Sequence, residues 1–279
     1  MAFKINMSYF KKVLFVLVIL IMLAFFLFPV IYVVLTSFKS KVDLLSYPPR
    51  IFFKPTLDYW IGVLRNSDFL FYYKNSFIIS SLSVLAVIVI ASFGAYSLSR
   101  FQIKRKEDIA FWILSQSMTP VVAVILPLYI LFSTWGIKDT YQGIILAYTA
   151  FNLPFAVWFL RNFFNEIPIE ISEAAIVDGC TKFKAFYLID LPLVKPGLVA
   201  TAIYTFIMCL NEFFVAFILT GSRVPPATVA LTFYLPTDVR GTMYGEAAVA
   251  GIMIMFIPII FFAFVQKYFV AGLIKGSIQ

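Results

Sequence analysis

Six long apolar segments alternate with polar stretches along the 279-residue chain. An α-helix needs about 20 residues to cross roughly 30 Å of hydrocarbon, because each residue adds about 1.5 Å. Each segment is that long or nearly so, and the pattern predicts an all-α membrane protein with six transmembrane helices. Pro120, Pro127 and Pro154 lie inside these segments and predict interrupted helices around a pathway. The predicted spans are 13–36, 76–98, 109–132, 143–160, 198–219 and 247–265.

The first apolar segment lies near the N-terminus, where a secretory signal peptide is the alternative. The apolar run is longer than the core of a signal peptide, and no clear small-residue cleavage site follows it. We therefore expect an uncleaved helix. In the polar stretch 37–74 that comes next, Pro48, Pro49 and Pro55 prevent one long helix.

The composition supports a membrane protein and excludes several kinds of chemistry. Hydrophobic residues make up 62% of the chain and charged residues 13%, with a mean hydropathy of +0.95, whereas a soluble domain carries about 25% charged residues. The absence of histidine excludes histidine-based catalysis and metal binding. Cys180 and Cys209 have no CxxC spacing. Because glycine-rich nucleotide-binding motifs are also missing, we expect no cofactor and no enzymatic activity.

The formal net charge of +8 raises nucleic acid as an alternative partner. The basic residues are dispersed around the ends of the predicted helices, which favours a membrane protein without nucleic-acid binding. Four of them, Arg100, Lys104, Arg105 and Lys106, lie between the second and third spans, whereas only Lys138 lies between the third and fourth. Since basic residues concentrate on the cytoplasmic side, both termini are predicted to be cytoplasmic.

The stretch 162–195 between the fourth and fifth spans is polar and amphipathic, and is predicted to be cytoplasmic. Its pattern predicts two short helices that meet at a sharp corner. Pro168 suits the first turn of one helix, and Gly179 can supply the left-handed residue that ends it. Thr181 can cap the second helix.

The second of these helices carries apolar residues that indicate a buried face, and Pro192 is expected to end it. An ordinary helical loop on the membrane surface is the alternative interpretation of the whole stretch. The apolar residues are Phe183, Phe186, Tyr187 and Ile189.

The spacing within this stretch matches a known motif. Glu-Ala-Ala is followed by three residues and Gly, then by nine residues, Ile, one residue and Leu-Pro. This pattern resembles the EAA loop of the membrane subunits of ATP-binding-cassette (ABC) importers. The matching residues are Glu173, Ala174, Ala175, Gly179, Ile189, Leu191 and Pro192.

The resemblance to ABC importer permeases extends over most of the chain. Residues 72–267 resemble the type I importer membrane domain, which leaves 1–71 as an N-terminal transmembrane helix with an outer segment and 268–279 as a cytoplasmic C-terminal tail. Within that domain, Asn211-Glu212-Phe213 resembles a motif of carbohydrate-uptake permeases. Pro127-Leu128-Tyr129 and Asp139-Thr140 are similar to the same group.

The C-terminal tail is a partial match to maltose-type and multiple-sugar permeases, because Ile274 stands where threonine is usual. The resemblance implies a non-catalytic, multi-pass permease subunit in the plasma membrane that moves a sugar or oligosaccharide. It further implies four kinds of partner besides lipid and sugar: a second permease, two copies of an ATP-binding subunit that hydrolyses ATP, and an extracytoplasmic solute-binding protein.

The same resemblance assigns roles to the residues of the EAA loop. Glu173, Ala174, Ala175, Asp178 and Gly179 are implied to contact the ATP-binding subunit or to shape that contact. The segment that follows them is shaped by Ile189, Leu191 and Pro192.

A second set of polar residues is predicted to line a translocation path. Asn211 and Glu212 lie inside the fifth predicted span, where a carboxylate is costly unless it faces protein or water. A structural tie to another helix is the alternative role for both. Gln116 and Asn152 are further candidates for the path.

Three other functions stay open from the residues alone. An ABC permease for a non-sugar solute would share the EAA loop. A secondary transporter would need ion-coupling carboxylates in several spans, and only Glu212 lies well inside one. An intramembrane enzyme would need a catalytic constellation, which the chain lacks.

Overall fold

The computed structural model describes residues 7–66, 68–235, 243–256 and 258–260, with side chains from residue 11 and without that of residue 66. All the helices and turns of these residues are helical in type, and the described residues contain no strand. The prediction of an all-α protein is confirmed for this part of the chain. The tail 268–279 and the end of the sixth predicted span lie outside the described residues.

The helices follow one another with short connections. They are α1 (Met7–Ser37), α2 (Lys41–Leu44), α3 (Asp58–Asn66), α4 (Phe69–Arg100), α5 (Lys106–Ser115), α6 (Val121–Thr134), α7 (Tyr141–Glu166), α8 (Ile169–Val177), α9 (Lys182–Ala185), α10 (Leu191–Leu193), α11 (Lys195–Asn211), α12 (Phe214–Leu219), α13 (Ala227–Ala230) and α14 (Tyr244–Ile260, with residue 257 not described). Short 3₁₀ turns at Gln116–Met118 and Leu231–Tyr234 and a π-helical turn at Phe186–Asp190 complete the set.

The chain forms two compact units. The first unit comprises Met1–Asp68 and Phe233–Met253, and so contains α1 to α3 and the start of α14. The described part of α1 is apolar all round and exposes its side chains, as Phe25 at 75% and Phe28 at 67% show. A helix of this kind suits a lipid environment.

The second unit comprises Phe69–Thr232 and Ile254–Gln279, and its core lies between α4 and α7. One apolar cluster joins the C-terminal half of α4 to the C-terminal half of α7, with Ala91, Ala95, Leu160 and Phe164 fully buried. A second cluster joins α6, the N-terminal half of α7 and α12 around the buried Tyr148. These two clusters hold α7 as the central helix of the unit.

Three described helices are long and apolar enough to cross a membrane, Lys11–Ser37, Phe69–Arg100 and Tyr141–Glu166. Two further candidates are bent pairs. The helical run Lys106–Met118 meets Val121–Thr134 at 87°, and Lys182–Leu193 meets Lys195–Asn211 at 74°.

The third predicted span is therefore a broken helix. Pro120 precedes α6 with extended backbone (φ −61°, ψ 123°), because a proline has no N–H to continue the helix and disfavours helical backbone in the residue before it. Pro127 and Pro154, by contrast, lie inside continuous helices.

Candidate functional site

Residues 168–193, called the helical corner below, have the two-helix arrangement that the sequence predicts. Gly179 has a φ of +90° and ends α8. Its N–H donates to the carbonyl oxygen of Ile176 at 3.0 Å, and the N–H of Cys180 donates to that of Ala175 at 3.0 Å. This is a Schellman motif, in which glycine takes the left-handed position without a side-chain clash. The predicted role of Gly179 at this turn is confirmed.

The second helix begins as predicted, with the Thr181 hydroxyl oxygen accepting a hydrogen bond from the Lys184 N–H at 3.3 Å. Its buried face is smaller than predicted. Phe186 is buried, whereas Phe183 and Tyr187 are 66% and 61% exposed. The prediction was wrong for these two because a π-helical turn begins at residue 186, and its wider spacing moves residues off the face that a 3.6-residue period predicts.

The prediction that Pro192 ends the second helix was also wrong. Pro192 lies at the start of α10, and the helical path continues to Leu193 before the 74° bend into α11. Proline is accommodated at the first turn of a helical segment, where its missing N–H has no helical partner to lose.

The predicted coupling residues divide into an exposed and an inner group. The helical corner exposes Glu173, Ala174, Asp178, Gly179 and Pro192. Ala175 is buried at 5% exposure, and Ile189 and Leu191 are half-buried. The exposed group gives α8 and its C-terminal turn a free surface, and the inner group packs that surface onto the rest of the unit.

A buried ion pair below this surface escaped the sequence analysis. Asp190 is fully buried, and its Oδ1 lies 3.0 Å from the Arg100 guanidinium. The Ser172 hydroxyl donates to the same oxygen at 2.8 Å. A signal was present, because Asp190 is the one acidic residue in the apolar run 186–191, but its partner is 90 residues away in the sequence.

Three of the four predicted path residues meet at one cavity. Gln116, Asn152 and Glu212 line a cavity of about 420 Å³ between the α5–α6 break, α7 and α11. Asn211 does not belong to this set, since its side chain is exposed and donates to the carbonyl oxygen of Ile207 at 2.9 Å. The other lining residues are Ser117, Thr119, Val121, Val124, Ala150, Phe151, Pro154, Phe155, Tyr204 and Met208.

Glu212 lies at a break in the fifth predicted span, and so that span is not one continuous helix. It is the residue after α11, and its carboxylate Oε1 accepts a hydrogen bond from the Val215 N–H at 2.9 Å, at the start of α12. Its backbone carbonyl oxygen accepts hydrogen bonds from the Tyr148 hydroxyl at 3.1 Å and the Thr228 hydroxyl at 3.2 Å. Glu212 therefore ties α7 and α13 to the break, in addition to lining the cavity.

The cavity wall combines amide groups with aromatic rings. Asn152 donates to the carbonyl oxygen of Tyr148 at 2.8 Å, and Gln116 donates to that of Trp112 at 3.3 Å. The rings of Phe155 and Tyr204 lie 4.3 Å apart between centroids. Glu212 is the one charged residue among the described lining residues.

Comparisons with known proteins identify the class to which this fold and site belong. Residues 88–275 match the family described as binding-protein-dependent transport system inner membrane component. A probable ABC transporter permease of Sinorhizobium fredii is 37% identical, with 96% of each chain covered. A trehalose/maltose transport system permease of Thermococcus litoralis is 33% identical, with 96% of this chain and 97% of the relative covered.

A solved structure shows the same fold. A chain of a bacterial ABC transporter involved in the import of the acidic polysaccharide alginate superposes with a TM-score of 0.80, at 23% identity, covering 96% of this chain and 100% of that one.

The chain belongs to the family of binding-protein-dependent transport system inner membrane components. It is thus a multi-pass membrane permease subunit of an ABC importer. Subunits of this family do not hydrolyse ATP, which is the work of a separate ATP-binding subunit.

Proposed function

We propose that this chain is one of two permease subunits of an ATP-driven importer for a sugar or oligosaccharide. The observation that carries the sugar assignment is the 33% identity, over nearly the whole of both chains, to a permease named for trehalose and maltose transport. The Asn-Glu-Phe run at 211–213 supports it. A non-sugar solute is the alternative within the same class of transporter.

The topology that accompanies this function has six spans with both termini in the cytoplasm. Three continuous helices and two bent pairs supply up to five spans, and the apolar helix Tyr244–Ile260 is the candidate for the sixth. The proposed domain limits are 1–71 for the N-terminal helix and outer segment, 72–267 for the transport domain and 268–279 for the tail. With this topology the helical corner faces the cytoplasm.

The helical corner is proposed to dock on an ATP-binding subunit. Glu173, Ala174 and Asp178 are exposed on α8 and its end, next to the apolar Val177, which is 86% exposed. A carboxylate beside apolar surface and small side chains suits close contact with a partner groove. Ala175, Ile189 and Leu191 support this surface from below, and Gly179 and Pro192 set the backbone around it.

The remaining partners follow from the class of transporter. A second permease completes the path, two ATP-binding subunits bind at the cytoplasmic side, and an extracytoplasmic solute-binding protein delivers the sugar. Closure of the ATP-binding subunits would move the helical corners together and switch the path between inward-facing and outward-facing states by rigid-body motion.

The cavity at Gln116, Asn152 and Glu212 is the proposed part of the path in this subunit. Amide and hydroxyl groups in its wall can exchange hydrogen bonds with sugar hydroxyls, and the rings of Phe155 and Tyr204 offer apolar faces. No basic side chain lines it among the described residues, and Glu212 would repel a carboxylate. We therefore assign it an uncharged sugar. Asn211 is assigned to the outer surface of α11 near the path.

The docking proposal is tested by purifying tagged chain from native membranes. Glu173→Lys reverses the charge on the exposed face of α8, and Gly179→Pro removes the left-handed turn, which a proline cannot adopt. Loss of a desolvated charge contact costs about 2–5 kcal/mol, so we expect at least about tenfold less ATP-binding subunit to co-purify. The second permease should stay bound.

Glu166→Lys is the matched control, because Glu166 is exposed, has the same charge and precedes the helical corner. It should co-purify with wild-type amounts of both partners. A chain that purifies alone, with solute flux insensitive to ATP and to both loop variants, would contradict the importer and would favour a secondary transporter.

A further inference from the structure

The carboxylate of Asp190 joins three elements of the second unit at one oxygen atom. Its Oδ1 accepts hydrogen bonds from Arg100 Nε at 3.2 Å, from Arg100 Nη2 at 3.0 Å and from the Ser172 hydroxyl at 2.8 Å. Arg100 is the last residue of α4, Ser172 lies in α8, and Asp190 ends the π-helical turn. The end of a long apolar helix is thereby connected to both limbs of the helical corner.

The same guanidinium also holds the entry to the helical corner. Arg100 Nη1 donates to the backbone carbonyl oxygen of Ile167 at 3.0 Å, one residue before Pro168. A planar guanidinium presents its donors in a fixed fork. Arg100 therefore contacts the chain before α8 and the chain after α9 with one rigid group.

The connection is shielded from water. The side chains of Arg100 and Asp190 are 7% and 0% exposed. Aromatic rings pack next to it, since Phe186 lies 4.7 Å from Tyr96 and 5.1 Å from Phe93 between ring centroids, both on α4. Apolar contact and the ion pair thus bind the same two elements, α4 and the π-helical turn.

The ion pair is not needed for apolar packing at this place. A buried ion pair loses hydration on folding and adds little net stability, whereas an apolar pair of similar volume is often as stable. What the ion pair adds is direction, because Asp190 accepts hydrogen bonds from Arg100 and Ser172 only in one relative placement of α4 and α8. The second oxygen of Asp190, Oδ2, is buried without a hydrogen-bond partner, so the geometry favours the first oxygen over full satisfaction of the carboxylate.

We infer that Arg100 and Asp190 are positioning residues that transmit movement of the helical corner to α4. This inference rests on the proposed function, because it requires the helical corner to be the contact with the ATP-binding subunit. A displacement of α8 pulls on Arg100 through Ser172 and Asp190 and through the Ile167 carbonyl. Since α4 packs along α7, which lines the cavity at Asn152, movement of α4 reaches the path.

The test uses the complete importer in proteoliposomes, with trehalose and maltose as the probe sugars. ATP hydrolysis and sugar uptake are measured together, per assembled complex, and the ratio of sugar imported to ATP hydrolysed is the readout. Uptake by the wild-type complex tests the proposed function in the same experiment, before any variant is compared. If the wild type shows no ATP-dependent uptake of either sugar, the proposed function fails for these sugars, and the inference fails with it.

Two variants separate transmission from stability. Asp190→Asn keeps the shape of the side chain and removes its charge. Arg100→Met combined with Asp190→Leu replaces the pair with apolar side chains and leaves no unpaired charge. We expect both to assemble, to hydrolyse ATP within about twofold of wild type, and to import at least fivefold less sugar per ATP.

An exposed ion pair of the same kind provides the control. Arg105 and Asp108 are 2.9 Å apart and 77% and 67% exposed, and Arg105→Ala should leave the ratio unchanged. Wild-type import per ATP by the double variant would overturn the inference, because the pair would then serve packing alone. Failure of both variants to assemble would assign the pair to folding and would overturn it equally.

Discussion

The hydroxyl group of Tyr148 donates a hydrogen bond to the backbone carbonyl oxygen of Glu212 across 3.1 Å. Tyr148 is 1% exposed in the middle of α7, and Glu212 is the residue at which α11 ends. A carbonyl group at a helix end has no partner within its own helix. The tyrosine supplies one, and so α7 stabilises the break that gives the cavity its acidic residue.

Replacement of Tyr148 by phenylalanine should weaken this break. Tyr148→Phe keeps the ring in the apolar cluster and removes one hydrogen bond, and the Glu212 carbonyl keeps the Thr228 hydroxyl at 3.2 Å. We expect a loss of about 1 kcal/mol in the free energy of unfolding. Thermal unfolding of the purified chain in detergent measures it. Tyr47→Phe, at a side chain that is 97% exposed, should have no effect, and an equal effect of both would refute the role of the bond.

Asp139 holds the loop that follows α12. Its carboxylate accepts hydrogen bonds from the backbone N–H groups of Gly221 at 2.7 Å, Arg223 at 3.2 Å and Val224 at 3.3 Å. Asp139 has a φ of 56°, a conformation that Asp and Asn tolerate better than most residues.

Asp139→Ala should therefore destabilise the chain by about 2 kcal/mol and speed proteolysis within residues 221–224, because three donors lose a charged acceptor. Asp139→Asn, which keeps the backbone preference and one acceptor oxygen, should cost about half as much. Asp108→Ala is the control, since Asp108 is exposed and contacts Arg105 alone among the ion pairs of the described residues. A proteolysis rate unchanged in Asp139→Ala would contradict this function of the carboxylate.

Two glycines should respond to alanine with opposite signs. Gly179 has a φ of +90° and Gly62 lies inside α3, and an added Cβ meets nothing within 4 Å at either place. Gly179→Ala should cost about 1 kcal/mol through backbone strain alone. Gly62→Ala should stabilise the chain by about 0.5–1 kcal/mol, because alanine loses less freedom in a helix. Unfolding midpoints of the two purified variants check the pair, and a stabilising Gly179→Ala would show that the left-handed turn is not required.

Gly197 lets α11 approach α7. A Cβ at this position would overlap the ring of Phe163. Gly197→Ala should destabilise the chain by about 1–3 kcal/mol, the usual range for overpacking, and Phe163→Leu in the same chain should recover part of the loss. Unfolding measurements on both variants test this, with Gly251→Ala in α14 as control, because its Cβ meets nothing within 4 Å. Equal destabilisation by the alanine at 197 with and without Phe163→Leu would exclude the proposed overlap.

Local features of this protein follow from the sequence alone. The apolar segments predict an all-α membrane chain because hydrocarbon leaves no partner for backbone groups outside a helix. Gly179 and Thr181 predict the end of α8 and the start of α9, since both depend on backbone and side-chain groups within five residues. The spacing of the EAA loop identifies the family, which the match over residues 88–275 confirms. The coupling and path assignments, six spans and domain limits stay predictions.

Tertiary structure alone decided the rest. The exposure of Phe183 and Tyr187 depends on a π-helical turn whose cause is packing against α4, and periodicity does not report it. Gln116 and Glu212 share a cavity because α5 and α6 bend at Pro120 and α11 ends at Asn211. Arg100 and Asp190 meet across 90 residues. A charge pattern along one chain cannot pair them, because the distance between two residues in space is fixed only when the helices that carry them pack together.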